Sequence, residues 1–313
     1  MIELMIQIAL LLIGFVFLIK GADYFVSGAS SVASILKIPT VIVGLTIVAI
    51  GTSAPEAAVS ITASLSGNNA IAVGNVIGSN MFNLLFIIGI CAALRELAIG
   101  KQMLEKDYPF LIIATVLIVI FILIGLSITR VEGIILLILF FVYIFYLVYT
   151  VKKSKDAAYV EKPKLTLPKS IIFIVVGLVG IVLGGDFVVN NASAIAMKLG
   201  MSETLVGLTI VAIGTSLPEI VTSLTALNRN ENELVIGNVI GSNLFNIVFV
   251  LGLSATISPI TLQSSIIVDA ILMLFVTLLC YVFARTQDKF SKREGIILII
   301  LFFVYMAFVI LRN

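Results

Sequence analysis

Several residue types are missing or scarce in this chain. It has no histidine, no tryptophan, two cysteines and only 12% charged residues over its 313 positions. The absence of histidine excludes imidazole metal sites, histidine-based catalytic triads and histidine proton relays. Cys91 and Cys280 are far apart and fit no CxxC pattern. We therefore interpret both as small apolar packing residues rather than redox or zinc-binding groups.

Long apolar segments dominate the rest of the sequence. Hydrophobic residues make up 61% of the chain, and its mean hydropathy is +1.24. A soluble protein usually carries about twice this fraction of charged residues, whereas runs of about 20 apolar residues can cross a bilayer. The sequence predicts an all-α membrane protein with ten transmembrane helices, near residues 4–33, 39–64, 70–94, 108–127, 132–151, 169–197, 202–226, 233–255, 264–284 and 294–311.

Nearly the whole chain is duplicated. GLTIVAIGTSAPE at residues 44–56 returns as GLTIVAIGTSLPE at 207–219, and GNVIGSNMFN at 74–83 returns as GNVIGSNLFN at 237–246, both at an offset of 163. A repeat of this length must be interpreted before any single motif. The first predicted span has a counterpart in the second copy and no positively charged region before it, so we expect a membrane span and not a cleaved leader.

The duplication predicts two halves of five spans each. They cover residues 1–151 and 169–313, and a linker at 152–168 joins them. Because five is an odd number, the halves must enter the membrane in opposite directions. The expected architecture is an inverted-topology repeat with a pseudo-two-fold axis in the membrane plane.

Basic residues are distributed unevenly between the two sides of this topology. Positively charged loops stay in the cytoplasm, so we predict a plasma (inner) membrane protein with both termini outside and a cytoplasmic linker. We interpret the linker as a solvated tether, with contact to anionic lipid as the alternative. The outer side carries three basic residues and the linker side fifteen: Arg130, Lys198 and Arg312 against Lys37, Arg95, Lys101, Lys106, Lys152, Lys153, Lys155, Lys162, Lys164, Lys169, Arg229, Arg285, Lys289, Lys292 and Arg293.

The motif GTSxPE places a carboxylate inside an apolar span in each half. A charged side chain at mid-bilayer costs at least about 2.5–3.5 kcal/mol, and the spans of Glu56 and Glu219 contain no lysine or arginine. Either the two glutamates are protonated, or they face a water-filled site and bind a mobile cation. The purely structural alternative is a proline kink with a glutamate that reaches the interface.

Proline in the same motif predicts a break in each helix. Pro55 and Pro218 lack an N–H group and displace the carbonyl four residues earlier, so the helices should break around Thr52 and Thr215. Unwound backbone at membrane depth is tolerated where it lines a cavity. Each motif then offers carbonyl, hydroxyl and carboxylate oxygens, which hard cations such as Ca²⁺ and Na⁺ prefer.

The second motif carries a stripe of polar side chains. In each copy these residues follow one another at i, i+4 and i+8 and share one helix face. We predict four of them as neutral oxygen ligands opposite the glutamates, with interhelical hydrogen bonding as the alternative, first of all for Asn75 and Asn238. The GxxxG spacing in the same motif predicts close helix packing. The four predicted ligands are Ser79, Asn83, Ser242 and Asn246.

The remaining acidic residues receive simpler interpretations. Asp23 and Asp186 occupy equivalent places in the first and sixth spans, where we expect a structural or gating role, and Lys20 is positioned to neutralise Asp23 across one helical turn. Five acids fall in predicted loops and are interpreted as solvated: Glu96, Glu105, Asp107, Glu231 and Glu233.

The paired GTSxPE and GNxxGSN motifs on two inverted halves resemble the α-repeats of the calcium/cation antiporter superfamily, in particular those of prokaryotic sodium/calcium exchangers. The resemblance covers nearly the whole chain. It implies that Glu56, Glu219, Thr52 and Thr215 bind calcium, the threonines through their carbonyl groups. For sodium it adds a second set: Ala49, Ala212, Ser53, Ser216, Ser79, Ser242, Asn83 and Asn246. The hydroxyls of Ser53 and Ser216 have helix capping as an alternative role.

This resemblance implies a transporter and not an enzyme, with Ca²⁺ and Na⁺ as its substrates. It implies alternating access, with the first and sixth spans as candidates for the moving gate. Asparagine at both 83 and 246 argues against potassium co-transport, because potassium-dependent members use an acid there. A proton/calcium antiporter using the same glutamates remains the alternative, and a channel or an intramembrane hydrolase are rivals of other classes. No cofactor, nucleic acid or protein partner is inferred; the expected surroundings are the lipid bilayer.

Overall fold

The structure, a computed structural model, describes residues 2–67, 69–154, 163–200, 212–262 and 264–312; the side chains of residues 2, 3, 69, 70, 152–154, 212 and 265 are left out of the description. Its elements are almost all helical. The helices are α1 (Ile2–Leu36), α2 (Thr40–Thr52), α3 (Ala54–Leu65), α4 (69–94), α5 (Met103–Gly125), α6 (Arg130–Ser154), α7 (Leu167–Lys198), α8 (Ala212–Gly214), α9 (Leu217–Asn228), α10 (Asn232–Ile257), α11 (Ser265–Gln287) and α12 (Lys292–Arg312).

The all-helical membrane architecture predicted from the sequence is present. Eight helices of the described ranges are long and apolar enough to cross a bilayer, and α2 with α3 forms a ninth candidate that bends by 50°. The predicted seventh span lies partly at 202–211, outside the described residues, as do 155–162 of the linker. In the described ranges four stretches are π-helical, a geometry that is frequent at functional sites: Gly44–Val48, Phe82–Ile87, Met103–Asp107 and Phe245–Leu251.

Helices α1 and α7 pack along each other at glycine positions. A Cβ atom at Gly14 would lie 3.0 Å from the carbonyl oxygen of Gly184, and one at Gly21 would lie 2.8 Å from that of Gly177. Larger side chains would not fit between backbones this close. Since the residue numbers rise along α1 as they fall along α7, the two helices are antiparallel.

Helices α4 and α10 form the centre of the protein. In their most apolar windows 78% and 94% of the residues are buried, against 17% in α6 and α12. Close packing of α10 on α2 depends on Gly237, where a Cβ atom would lie 2.6 Å from the carbonyl oxygen of Val41 and 3.0 Å from the Cα of Gly44. The GxxxG prediction is thus confirmed for Gly237. The polar motifs, which lie on these central helices, are enclosed by protein.

Elements of the two sequence repeats interleave. Helix α6 packs on α10 and α12 packs on α4, each at a glycine pair: a Cβ atom at Gly133 would lie 2.8 Å from the carbonyl oxygen of Gly252, and one at Gly295 would lie 2.7 Å from that of Gly89. Short strands in the loops also pair between the two sequence repeats, and the described ranges contain four of them. They are β1 (Leu97–Ala98), which pairs with β4 (Lys289–Phe290), and β2 (Ser127–Ile128), which pairs with β3 (Ile260–Thr261), all antiparallel.

The prediction that Asp107 is a solvated loop residue is wrong. Its side chain is fully buried, and the hydroxyl of Tyr143 donates a hydrogen bond to its Oδ1 at 3.1 Å. The cause is that α5 begins at Met103, a turn earlier than predicted, so Asp107 lies inside the span. Glu105 and Glu233 are exposed as expected.

Asp23 has a different partner from the one predicted. Its Oδ1 accepts a hydrogen bond from Nη2 of Arg229 at 2.8 Å, and not from Lys20 on its own helix. Close by, the hydroxyl of Ser30 donates to Glu231. These two contacts tie α1 to the segment that follows α9, so the structural role expected for Asp23 involves the second half of the chain.

Candidate cation site

The GTSxPE motifs break their helices where proline predicts. Helix α2 ends at Thr52, Ser53 is non-helical with ψ of 8°, and Pro55 lies in the first turn of α3. The second copy behaves alike, since Thr215 and Ser216 separate α8 from α9 and Ser216 has ψ of 8°. The break allows the first turn of α3 and of α9 to point its glutamate into the protein interior, and both Glu56 and Glu219 are fully buried.

The two copies of the motif bond each other's glutamates. The hydroxyl of Ser53 donates to Oε1 of Glu219 at 2.8 Å, and the hydroxyl of Ser216 donates to Oε1 of Glu56 at 3.1 Å. Neither serine caps its own helix through its side chain. Because each serine belongs to one copy and its acceptor to the other, the two motifs form one interlocked cluster.

Four buried oxygen atoms, on the two glutamates and on asparagines of the helices that pack against α3 and α9, lack a hydrogen-bond partner among the described residues. They are Oε2 of Glu56, Oε2 of Glu219, Oδ1 of Asn83 and Oδ1 of Asn246. Leaving a buried acceptor unpaired costs about 1–3 kcal/mol, and more when it is charged. A donor set of carboxylate and amide oxygens matches hard cations such as Ca²⁺ and Na⁺, so the cluster is a candidate cation site.

Three further predicted residues meet at one carbonyl group. The carbonyl oxygen of Ala49 accepts from the hydroxyl of Ser242 at 3.5 Å and lies 3.4 Å from that of Thr52, which donates to Oδ1 of Asn238 at 3.1 Å. On the other side of the cluster, the hydroxyl of Ser216 contacts that of Ser79 at 3.4 Å. All of these residues are buried. The side chains of Ala49, Thr52, Ser79, Ser216 and Ser242 therefore line the same interior region.

The second copy is described less completely. Thr215 lies between α8 and α9 and is half-buried, and Ala212 is the first described residue of α8, without its side chain. The start of the repeated motif, residues 207–211, lies outside the described residues. Within the parts of the chain that the structure describes, no group of three or more histidine, cysteine, aspartate or glutamate side chains could hold a metal ion. A cation here would depend on two carboxylates and on neutral oxygens.

Asn75 and Asn238 clamp neighbouring helices together by hydrogen bonds. The sequence analysis named them as the first candidates for interhelical hydrogen bonding. The side-chain amide of Asn75 donates to the carbonyl of Glu56 at 3.2 Å and to the hydroxyl of Ser60 at 2.9 Å. Asn238 donates in the same way to the carbonyl of Glu219, at 3.4 Å, and to Ser223. Each clamp fixes the backbone that carries one glutamate.

Asn80 and Asn243 lie next to predicted ligands, although neither was predicted as a site residue. They lie next to Ser79 and Ser242 but point away from the predicted polar stripe, by about 100° around the helix. Both are buried and contact the predicted ligands: Asn243 accepts from Asn83 at 3.0 Å, and Asn80 accepts from Asn246 at 3.3 Å. Their recurrence at the offset of 163 was the available signal.

Comparisons with known proteins identify the family that this chain matches. Residues 6–149 and 169–311 match the family described as sodium/calcium exchanger protein. The putative antiporter CaxA of Alkalimonas amylolytica is 39% identical over 94% of this chain and 95% of its own length. The sodium/calcium exchanger MaX1 of Methanosarcina acetivorans is 31% identical over 97% of this chain and 98% of its own.

A solved structure is also similar over nearly its whole length. The sodium-calcium exchanger NCX_Mj, soaked with Na⁺ and Sr²⁺, aligns with a TM-score of 0.86 and 31% identity, covering 97% of this chain and 99% of that one. The family match extends over both repeats and well over half of the sequence. The chain belongs to the sodium/calcium exchanger protein family.

Proposed function

We propose that this protein is a sodium/calcium antiporter that moves both ions through the single site formed by its two GTSxPE motifs. The observation that carries the proposal is the reciprocal bonding of Ser53 to Glu219 and of Ser216 to Glu56. Within the described parts of the chain, it leaves one oxygen of each buried carboxylate without a hydrogen-bond partner. Membership of the family and the names of its relatives support calcium as one of the transported cations.

Competition at the glutamates explains exchange. Two carboxylates balance the charge of one Ca²⁺, and sodium ions that bind the same oxygens must displace it. Alternating access then requires that the loaded site open to one side at a time. We propose α1 and α7 as the moving elements, since they pack on each other through glycines and only 17% and 28% of the residues in their most apolar windows are buried. Exchange that continued after both were cross-linked to the core would contradict this assignment.

The ligands are proposed in two sets. Calcium is held by Glu56, Glu219 and the carbonyl groups of Thr52 and Thr215. Sodium binding adds neutral oxygens around the glutamates. Asn83 and Asn246 are the best supported, because each has a buried oxygen that no described residue bonds. The complete sodium set is Ala49, Ala212, Ser53, Ser216, Ser79, Ser242, Asn83 and Asn246.

The proposed architecture is ten spans in two inverted halves, residues 1–151 and 169–313, with outer termini and a cytoplasmic linker at 152–168 in the plasma membrane. Two observations support it. Contacts recur at the repeat offset, and each strand pair joins loops that this topology places on the same side: β1 with β4 inside and β2 with β3 outside.

The test of this function uses purified protein in liposomes. We expect calcium uptake when sodium is trapped inside and removed outside, and little uptake when only a pH gradient is applied. Uptake driven by protons without sodium would establish the proton/calcium antiporter instead. Calcium movement that is independent of any counter-gradient would indicate a channel.

Exchange is predicted to be electrogenic. If more than two sodium ions replace one Ca²⁺, at least one net charge crosses per cycle, and one full charge is worth about 2.3 kcal/mol per 100 mV. In this assay sodium leaves the vesicle as calcium enters, so the net positive charge moves outward. An interior-negative potassium diffusion potential should therefore slow calcium uptake, and an interior-positive one should speed it. Uptake rates that do not change with the potential would show electroneutral exchange.

Removing either cross-repeat hydroxyl should weaken cation binding without abolishing transport. Ser53→Ala and Ser216→Ala each delete one hydrogen bond to a carboxylate, worth about 1.5–3 kcal/mol, and release a glutamate from its position. We expect the half-saturating sodium concentration to rise roughly tenfold or more. Thr115→Val is the matched control, since this buried hydroxyl bonds the carbonyl of Leu111 on its own helix, at 2.8 Å, and no other described residue. Equal effects in the serine variants and the control would contradict the assignment.

A further inference from the structure

Four asparagines form a ring that is closed by hydrogen bonds between α4 and α10 and by the backbones of these two helices. The side-chain amide of Asn80 donates to the backbone carbonyl oxygen of Asn243 at 3.3 Å, and that of Asn243 donates to the backbone carbonyl oxygen of Asn80 at 3.4 Å. The side-chain amide of Asn83 donates to Oδ1 of Asn243 at 3.0 Å, and that of Asn246 donates to Oδ1 of Asn80 at 3.3 Å. We call these four residues the asparagine ring.

The backbone determines which way each amide in the ring points. A carbonyl oxygen only accepts hydrogen bonds, so Asn80 must turn its nitrogen towards the backbone of Asn243 and its oxygen towards Asn246. Asn246 must then meet that oxygen with its own nitrogen. Its Oδ1 is consequently turned the other way, where it is buried and unpaired among the described residues. Asn243 orients Asn83 by the same argument.

We propose that Asn80 and Asn243 are positioning residues that turn the oxygen atoms of Asn246 and Asn83 into the cation site, each acting across the boundary between the two repeats. This inference rests on the proposed function, because it assigns the freed oxygens to a transported cation. It also accounts for the π-helical stretches that begin at Phe82 and Phe245, one residue before each oriented asparagine: the wider turn changes the direction in which the following side chains point.

The ring also selects asparagine at positions 83 and 246. An ionised aspartate there has no N–H to give, so its carboxylate would face Oδ1 of Asn243 or Asn80 as acceptor against acceptor. The ring therefore keeps the formal charge of the site at that of the two glutamates. An ionised carboxylate at position 83 would therefore need a hydrogen-bond donor in place of Oδ1 at position 243, and one at position 246 would need a donor at position 80.

Double-mutant cycles test the crossed pattern. Asn80→Ala should raise the half-saturating sodium concentration for calcium uptake roughly tenfold. It should add nothing, within about twofold, once Asn246→Ala is present, because the oriented oxygen is already gone. In the Asn83→Ala background the full effect should remain. Asn243→Ala should show the reverse, coupling to Asn83 and not to Asn246. A merely structural role would give equal coupling to both partners, and that result would overturn the proposal.

A second variant keeps the proposal open to disproof if the alanine variants do not fold. Asn80→Asp preserves the shape and the acceptor for Asn246, and only its protonated form can donate to the carbonyl of Asn243. Its activity relative to the wild type should rise as the pH is lowered and fall as the pH is raised. A ratio that is independent of pH would contradict the proposed donor role.

The ring can be tested apart from the function. If wild-type vesicles show no sodium-driven calcium uptake, the proposed function fails, and the same cycles are then measured as the stabilisation of detergent-solubilised protein against unfolding by Na⁺ or Ca²⁺. The crossed coupling should persist there if the ring orients cation ligands. Absence of stabilisation by either ion would overturn both proposals.

Discussion

Glu56→Gln and Glu219→Gln are each expected to abolish calcium uptake driven by an outward sodium gradient. Glutamine keeps the size of the side chain and removes one negative charge, which leaves a bound Ca²⁺ with a single carboxylate in a buried site. Breaking a buried charge pair costs about 3–5 kcal/mol, equivalent to at least about a hundredfold in calcium affinity. Initial rates of calcium uptake into proteoliposomes, compared over a range of external calcium concentrations, measure this effect.

The matched control for this prediction is Glu96→Gln. Glu96 makes an exposed ion pair with Lys289 at 2.8 Å, and exposed pairs contribute only about 0–1 kcal/mol. This variant should transport like the wild type. If either site variant transported calcium as well as the control, the carboxylates could not be ligands of the transported ion.

The second large effect is expected from Gly237. The Cβ atom of Gly237→Ala would lie 2.6 Å from the carbonyl oxygen of Val41 and 3.0 Å from the Cα of Gly44, and backbone atoms cannot rotate away as a side chain can. Overpacking of this kind costs about 1–3 kcal/mol and more for larger side chains. We expect Gly237→Ala to lower the unfolding temperature clearly and Gly237→Val to prevent recovery of monodisperse protein.

The displacement of α10 that a side chain at Gly237 would cause also affects the cation site, through the neighbouring residue Asn238. Asn238 holds the backbone of Glu219, so separating α10 from α2 displaces one glutamate from the other. Gly100→Ala is the control, since Gly100 is exposed and a Cβ atom there meets nothing within 4 Å among the described residues. An unfolding temperature for Gly237→Ala equal to that of Gly100→Ala would contradict the packing argument.

The sequence predicted the features that depend on local chemistry and on the repeat. The helix breaks were predicted from the positions of Pro55 and Pro218, and the membrane helices were predicted from the lengths of the apolar runs. The burial of Glu56 and Glu219 followed from their place inside apolar runs. Asn75 and Asn238 were correctly interpreted as candidates for interhelical bonds, because their position on a helix face is set by sequence spacing alone.

Features that depend on how the halves meet could not be predicted. Ser53 bonds Glu219, whereas a single motif gives no sign of whether its serine would cap its own helix or reach the other copy. Asn80 and Asn243 lie off the helical stripe of their own motif, and their role appears only when the two copies face each other. Asp107 was misplaced because the apolar pattern shows the start of a span only to within a turn.

The most direct test of the central claim, one shared cation site, is the number of calcium ions bound per chain. Equilibrium binding of radioactive calcium to the purified wild-type protein should give one bound ion per chain, and sodium should displace it competitively. Glu56→Gln and Glu219→Gln should each abolish that ion, because both carboxylates hold it. Two ions in the wild type, or one ion retained in either single variant, would show that each repeat has a site of its own and would contradict the account.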